Sequence, residues 1–306
     1  MAIALLEKLC SLFLIMLAGY VVVRLGLLRW EDSQILSVLC LYLICPCSIF
    51  SAFQIEKSPE IVSGLLLGIG AAVVIHIALI LIADLLKKPL KLDAVEQTSI
   101  IYTNAGNLII PIVSSVLGPE WVIYTCAFMC VQIPLQWSHC KSIICNEHHL
   151  DIRKILTNVN MLSVFAGIII FAFGIELPEF LQSTIDTVGS TIGPISMLVV
   201  GMLIGGIDLK DIFLRRRTWF ITAMRLVVMP LIAVLILRIG AGHSSLPEAE
   251  KMLMISLLAA AAPAGATVTQ MAQVYGGNEH DACSINVLTT LMCIVTMPLM
   301  VALYQM

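Results

Sequence analysis

Ile101-Tyr102-Thr103-Asn104-Ala105-Gly106-Asn107-Leu108-Ile109-Ile110-Pro111 stands in the middle of an apolar run from about Ala94 to Leu117, long enough to cross a bilayer. Gly106 and Pro111 do not suit a continuous helix, because glycine leaves the backbone unrestricted and proline lacks the N–H that a helix interior needs. The stretch predicts a broken span. Inside hydrocarbon such a break leaves backbone groups unpaired, which is tolerated only where it is buried in protein or lines a wet cavity. A break of this kind marks a binding site.

Working outward, the composition agrees with a membrane setting. Of 306 residues, 59% are hydrophobic and 12% charged, the balance of a polytopic membrane protein. The net charge of -3, without a basic cluster carrying interleaved aromatics, makes no case for a nucleic-acid partner. No positive region precedes the first apolar run and no small-residue cleavage pattern follows it, so the first span is expected to stay. Ten cysteines, most of them in apolar runs, read as free thiols acting as small hydrophobes.

The fold class is all-α, with ten spans at about 5 to 23, 33 to 53, 60 to 84, 94 to 117, 120 to 140, 157 to 175, 182 to 206, 217 to 239, 249 to 275 and 280 to 304. Twelve of the 17 Lys and Arg fall in the odd-numbered connections and four on the opposite side, which puts both termini outside the cytoplasm. Two halves of five spans follow, residues 1–145 and 155–306, the second inverted because the count per half is odd. Pro46 in span two answers Pro194 in span seven. Met129 to Pro134 in span five answers Met292 to Pro298 in span ten with a one-residue gap.

Span nine carries a second interruption, Ala259-Ala260-Ala261-Ala262-Pro263-Ala264-Gly265-Ala266-Thr267-Val268-Thr269-Gln270, in the place corresponding to span four. Paired interruptions in the two halves of an apolar chain point to a transporter binding site. Asn104 to Pro111, Ala262 to Thr267 with the following Gln270-Met271-Ala272-Gln273-Val274-Tyr275-Gly276-Gly277-Asn278, and Arg225 to Pro230 resemble the auxin efflux carrier family over essentially the whole chain. That family includes plant auxin carriers and bacterial malate and malonate permeases. The resemblance implies a scaffold of spans 1, 2, 6 and 7, a transport unit of spans 3 to 5 and 8 to 10, crossing broken helices four and nine, and an elevator-like movement of a carboxylate. It also makes a homodimer through the scaffold an expectation. The long cytoplasmic loop of the plant carriers is reduced here to about residues 141–156, so regulation through it is not carried over.

Two half-helices starting near mid-membrane present unpaired N–H groups and the positive ends of their dipoles, a preformed pocket for an anion. Pro111 and Pro263 are predicted to mark the starts of those second halves. Asn104 and Asn107 add amide donors without the cost of a buried cation, with Gly106, Gly265 and Thr267 beside them. Against this stands a plainer role for the amides, satisfying backbone groups freed by the break. Thr103 and Thr269 are weaker candidates, since hydroxyls in apolar spans bond back to their own helix.

No Asp or Glu lies near the middle of a span, which favours an anionic or neutral cargo over a cation. Arg225 is the one cation well inside a span, at a cost of roughly 3 kcal/mol if it faced lipid. It either balances a substrate's charge, or snorkels toward the nearby cytoplasmic face or bonds carbonyls at a helix end. His76 in span three is the candidate for proton coupling, against a packing role. Gln132, Gln136 and Asn286 are expected to bridge helices.

The reading is a secondary transporter of small organic anions in the cell membrane, not an enzyme and with no cofactor. No His-Glu-x-x-His or Gly-x-Ser-x-Gly pattern is present. The alternative is a ligand-binding membrane receptor or sensor whose cytoplasmic loop holds a metal through His139, Cys140, Cys145, His148 and His149, though their spacing matches no standard finger.

Overall fold

The computed structural model describes residues 2–55, 58–146, 153, 156–157, 159–206, 209–244, 246–275 and 277–306. Helices α1 (Ala2–Arg24), α2 (Trp30–Ala52) and α3 (Pro59–Leu90) lead into two half-helices, α4 (Ala94–Ile101) and α5 (Ala105–Val116). Next come α6 (Val122–Leu135), which continues in helical turns to Cys145, then α7 (Val159–Phe173), α8 (Glu179–Gly205) and α9 (Arg216–Gly242). A second pair of half-helices, α10 (Ala249–Ala261) and α11 (Ala266–Tyr275), precedes α12 (Glu279–Gln305). The described residues contain no β-strand. Among the described residues five helices, α2, α3, α8, α9 and α12, are individually long and apolar enough to cross a bilayer, and Cys10–Arg24, Ala105–Val116 and Val159–Phe173 form shorter apolar helical stretches. None of the ten cysteines is joined in a disulfide among the described residues.

Packing follows small residues, as it must where lipid supplies no hydrophobic drive between helices. α1 lies along α8, and Gly19 and Gly201 make the approach possible: a Cβ on either would collide with the backbone of the facing helix, at Leu198 and Met16 respectively. α2 packs on α7 and α8, α3 on α6 and α10, and α12 on α9, α10, α11 and α1.

The prolines inside helices leave a recurrent mark. Pro46, Pro111 and Pro230 each follow a five-residue π-turn by two positions, after Cys40–Ile44, Ala105–Ile109 and Met224–Val228. A proline offers no N–H to the carbonyl four residues earlier and its ring crowds that carbonyl, so the helix widens there instead of stopping. Pro134 sits instead two residues ahead of a fourth π-turn, Gln136–Cys140, whereas Pro194 and Pro298 lie in unwidened α-helix. The proline pairs matched in sequence thus differ in their local backbone.

Candidate functional site

The two breaks meet. α4 ends where Tyr102 turns extended (φ -94, ψ 137) and α10 where Ala262 does (φ -62, ψ 156). Ala262 precedes Pro263, whose ring pushes the preceding residue out of the helical region. The extended segments cross antiparallel with Thr103 opposite Ala264. The Asn104 N–H donates to the Pro263 carbonyl at 2.9 Å, and the Gly265 N–H donates to the Tyr102 carbonyl at 3.0 Å. Gly265 allows this proximity, since a Cβ there would stand 3.1 Å from the Thr103 carbonyl oxygen.

A crossing buried among helices must satisfy every backbone group it exposes. Arg225, fully buried on α9, donates to Ile100 on one side (3.0 Å) and to Ala262 on the other (3.1 and 2.9 Å), with a further bond to Ala260. One guanidinium therefore caps the C-terminal ends of both α4 and α10, where two helix dipoles place partial negative charge. Gln132 of α6 donates to the Thr103 carbonyl at 2.9 Å and accepts the Thr103 hydroxyl at 2.7 Å. Asn286 of α12 donates to the Ala264 carbonyl at 3.1 Å, and the Thr289 hydroxyl accepts the Ala264 N–H at 3.1 Å. With the carbonyl ends covered, the crossing keeps two positive ends, the first turns of α5 and α11.

Asn104 is 8% exposed, Asn107 half-buried, and neither side-chain amide has a hydrogen-bond partner among the described residues. The plainer role falls instead to Gln132, Asn286 and Arg225, which hold the freed backbone. Gly106 and Thr267 are half-buried in the first turns of α5 and α11, and the Thr267 hydroxyl makes no hydrogen bond among the described residues. Thr103 is tied to Gln132, and the Thr269 hydroxyl donates to Ala282 at 3.3 Å.

The prolines do not start the second half-helices. α5 begins at Ala105, so Pro111 lies inside it, packed on Gly193 of α8; α11 begins at Ala266, after Pro263 and Gly265. Pro111 widens its helix, and Pro263 ends the helix before it.

A model of a membrane transport protein family matches residues 4–149 and 143–301. The chain belongs to this family of auxin efflux carrier-like permeases. No individually curated protein matches it. The family consists of transporters, not enzymes, and the permease is an integral membrane protein acting on a small substrate within a lipid bilayer.

Two other predicted residues of the permease flank the crossing. His76 of α3 is 1% exposed, makes a tilted ring contact with Phe128 at 4.9 Å, and bonds through Nδ1 to the Ala72 carbonyl at 2.7 Å, while buried Nε2 has no hydrogen-bond partner among the described residues. His139 meets the Tyr102 hydroxyl through Nδ1 at 2.8 Å, and of the other described residues of the proposed metal loop Cys140 is buried and Cys145 half-buried. His148 and His149 lie outside the described residues, and no three His, Cys, Asp or Glu gather for a metal among the described ones.

The sequence reading missed Thr289 and did not connect Arg225 to both breaks. The available signal was the set of polar residues in apolar helices, Gln132, Arg225, Asn286 and Thr289, each needing a partner that lipid cannot offer.

Proposed function

We propose that this permease is a secondary transporter of small organic anions, carboxylates such as malate, malonate or auxin-like acids, working by elevator-like alternating access. The single observation that carries the reading is the pair of uncommitted amides, Asn104 and Asn107, beside two helix N-termini whose opposing C-termini are already neutralised by Arg225. A carboxylate there gains charge-assisted donors without meeting the negative helix ends. Substrate contacts are assigned to Asn104, Gly106, Asn107, Gly265 and Thr267. Pro111 and Pro263 shape the backbone that presents them.

The same reading divides the chain into inverted repeats 1–145 and 155–306, with a scaffold of α1, α2, α7 and α8 and a transport unit from the remaining helices. Its support is the packing of α1 along α8 and of α2 on α7 and α8, with Pro111 of α5 resting on Gly193 of the scaffold. The excess of Lys and Arg in the odd-numbered connections supports both termini on the non-cytoplasmic side of the cell membrane. Exposed scaffold side chains such as Leu14, Ile35 and Ile168 suit lipid as well as a second copy, so the homodimer rests on the resemblance alone. The test is uptake of labelled mono- and dicarboxylates into proteoliposomes under imposed proton, sodium and voltage gradients. Saturable accumulation of at least one acid supports the proposal; absence of transport for every acid under every gradient contradicts it.

A further inference from the structure

We propose that the permease has a second anion site, distinct from the crossing, in the cavity at the start of α9, and that it takes a phosphate group. The cavity encloses about 300 Å³ and is lined by Glu96, Arg215, Arg216, Arg217, Thr218 and Asp281, among others. Its two carboxylates are committed. Both Glu96 oxygens accept from Arg217 at 2.6 Å, and Arg217 also reaches the Leu90 and Lys91 carbonyls at 3.0 and 3.1 Å. Asp281 accepts from Arg215 at 2.7 Å through one oxygen and from the Asn278 amide at 2.7 Å through the other.

Arg216 is the guanidinium left over: it lines the cavity with no hydrogen bond or ion pair among the described residues. The cavity wall therefore carries one uncompensated positive charge in a planar fork, which matches two oxygens of a phosphate. Arg217 and Thr218, in the first turn of α9, line the same wall. A cation is not favoured, since neither carboxylate has an unspent face. The crossing is not part of this site, because Arg225 lies about 12 Å further along α9.

The surroundings of this cavity suit a membrane surface, where the phosphates of a bilayer sit. Trp219 makes a tilted ring contact with Phe213 at 5.9 Å and donates its ring N–H to the Phe213 carbonyl at 2.9 Å, and Leu214 and Phe220 are exposed beside it. Aromatic and apolar side chains next to arginines are the pattern of a helix end at a membrane surface. The phosphate is accordingly either that of an anionic lipid headgroup or a free one. Because the flanking ion pairs and the Arg217 bonds to the Leu90 and Lys91 carbonyls join α3, α4, α9 and α12, a bound phosphate bridging the wall raises the stability of these helices together.

The test follows thermal unfolding of the full chain in phosphatidylcholine nanodiscs, with phosphatidylglycerol added in one arm and inorganic phosphate in the other, at constant ionic strength. The expected result is a rise in midpoint in at least one arm, with half-saturation roughly tenfold weaker in Arg216→Gln. Lys88→Gln, an exposed cation elsewhere, should leave it unchanged. A response to phosphatidylglycerol alone assigns the headgroup, and one to inorganic phosphate assigns a free anion. Should Arg216→Gln fail to fold, Arg216→Lys keeps the charge without the fork and is expected to bind less tightly than the wild type. No rise in either arm, or wild-type half-saturation in the Arg216 variant, overturns the proposal.

Discussion

The two breaks look alike in outline but are made differently. In the second, the cause is local: Pro263 forces Ala262 out of the helix, and α10 would end there in any surroundings. The first contains no proline between Ile101 and Gly106; its extended backbone is held by Gln132 on Thr103 and by pairing with Pro263 and Gly265. The difference extends to chemistry. The second break has its carbonyls covered by Arg225 and Asn286 and its Ala264 N–H by Thr289, while the first adds two unengaged amides, Asn104 and Asn107. One break acts as a fixed frame, and the other, shaped against it, presents the donors. Function concentrates on the segment whose conformation depends most on its neighbours.

Removing the shared cap tests the comparison most severely. Arg225→Leu strands the carbonyls of Ile100, Ala260 and Ala262, at about 1–3 kcal/mol for each buried acceptor, and should abolish recovery of folded monodisperse protein. Arg225→Lys, with a point charge in place of a fork, should recover only part of the yield on size-exclusion chromatography.

Next in size is the asymmetry between the tethers. Gln132→Leu removes the donor that holds the Thr103 carbonyl and should lower the unfolding midpoint by an amount corresponding to about 2 kcal/mol. Asn286→Ala should cost about 1 kcal/mol, because Asn286 serves a single carbonyl, that of Ala264, whereas Gln132 serves both the carbonyl and the hydroxyl of Thr103. Equal losses would mean that the first break is as self-sufficient as the second. The smallest effect belongs to the frame's single unengaged hydroxyl: Thr267→Val should change carboxylate uptake by less than about threefold and leave stability alone.

These differences set what could be read in advance. Spans four and nine announced themselves as interrupted, because glycine and proline at mid-span conflict with an apolar helical run whatever surrounds them. The start of α11 just after Pro263 was legible to within a few residues for the same reason. The start of α5 was not. Pro111 drew attention, yet its effect is to widen a helix that had already begun at Ala105. What places the first break is a glutamine 29 residues away on α6, and a linear pattern does not specify which carbonyl such a side chain will reach. Arg225 was legible as a helix-end partner, but its service to two helix ends at once depends on the crossing itself. The arginines of 215–217 read as an orientation signal, and the cavity they line appears only when α4 and α12 are brought beside them.

The account's central claim is that the crossing holds a carboxylate through the free amide of Asn104. It is tested most directly by proteoliposome uptake of the best-transported carboxylate, comparing the wild type with Asn104→Ala at matched protein incorporation and matched unfolding midpoint. The prediction is a fall of roughly tenfold or more, the loss of one hydrogen bond to a charged group. Uptake by Asn104→Ala at the wild-type rate, with the same concentration dependence, would contradict it.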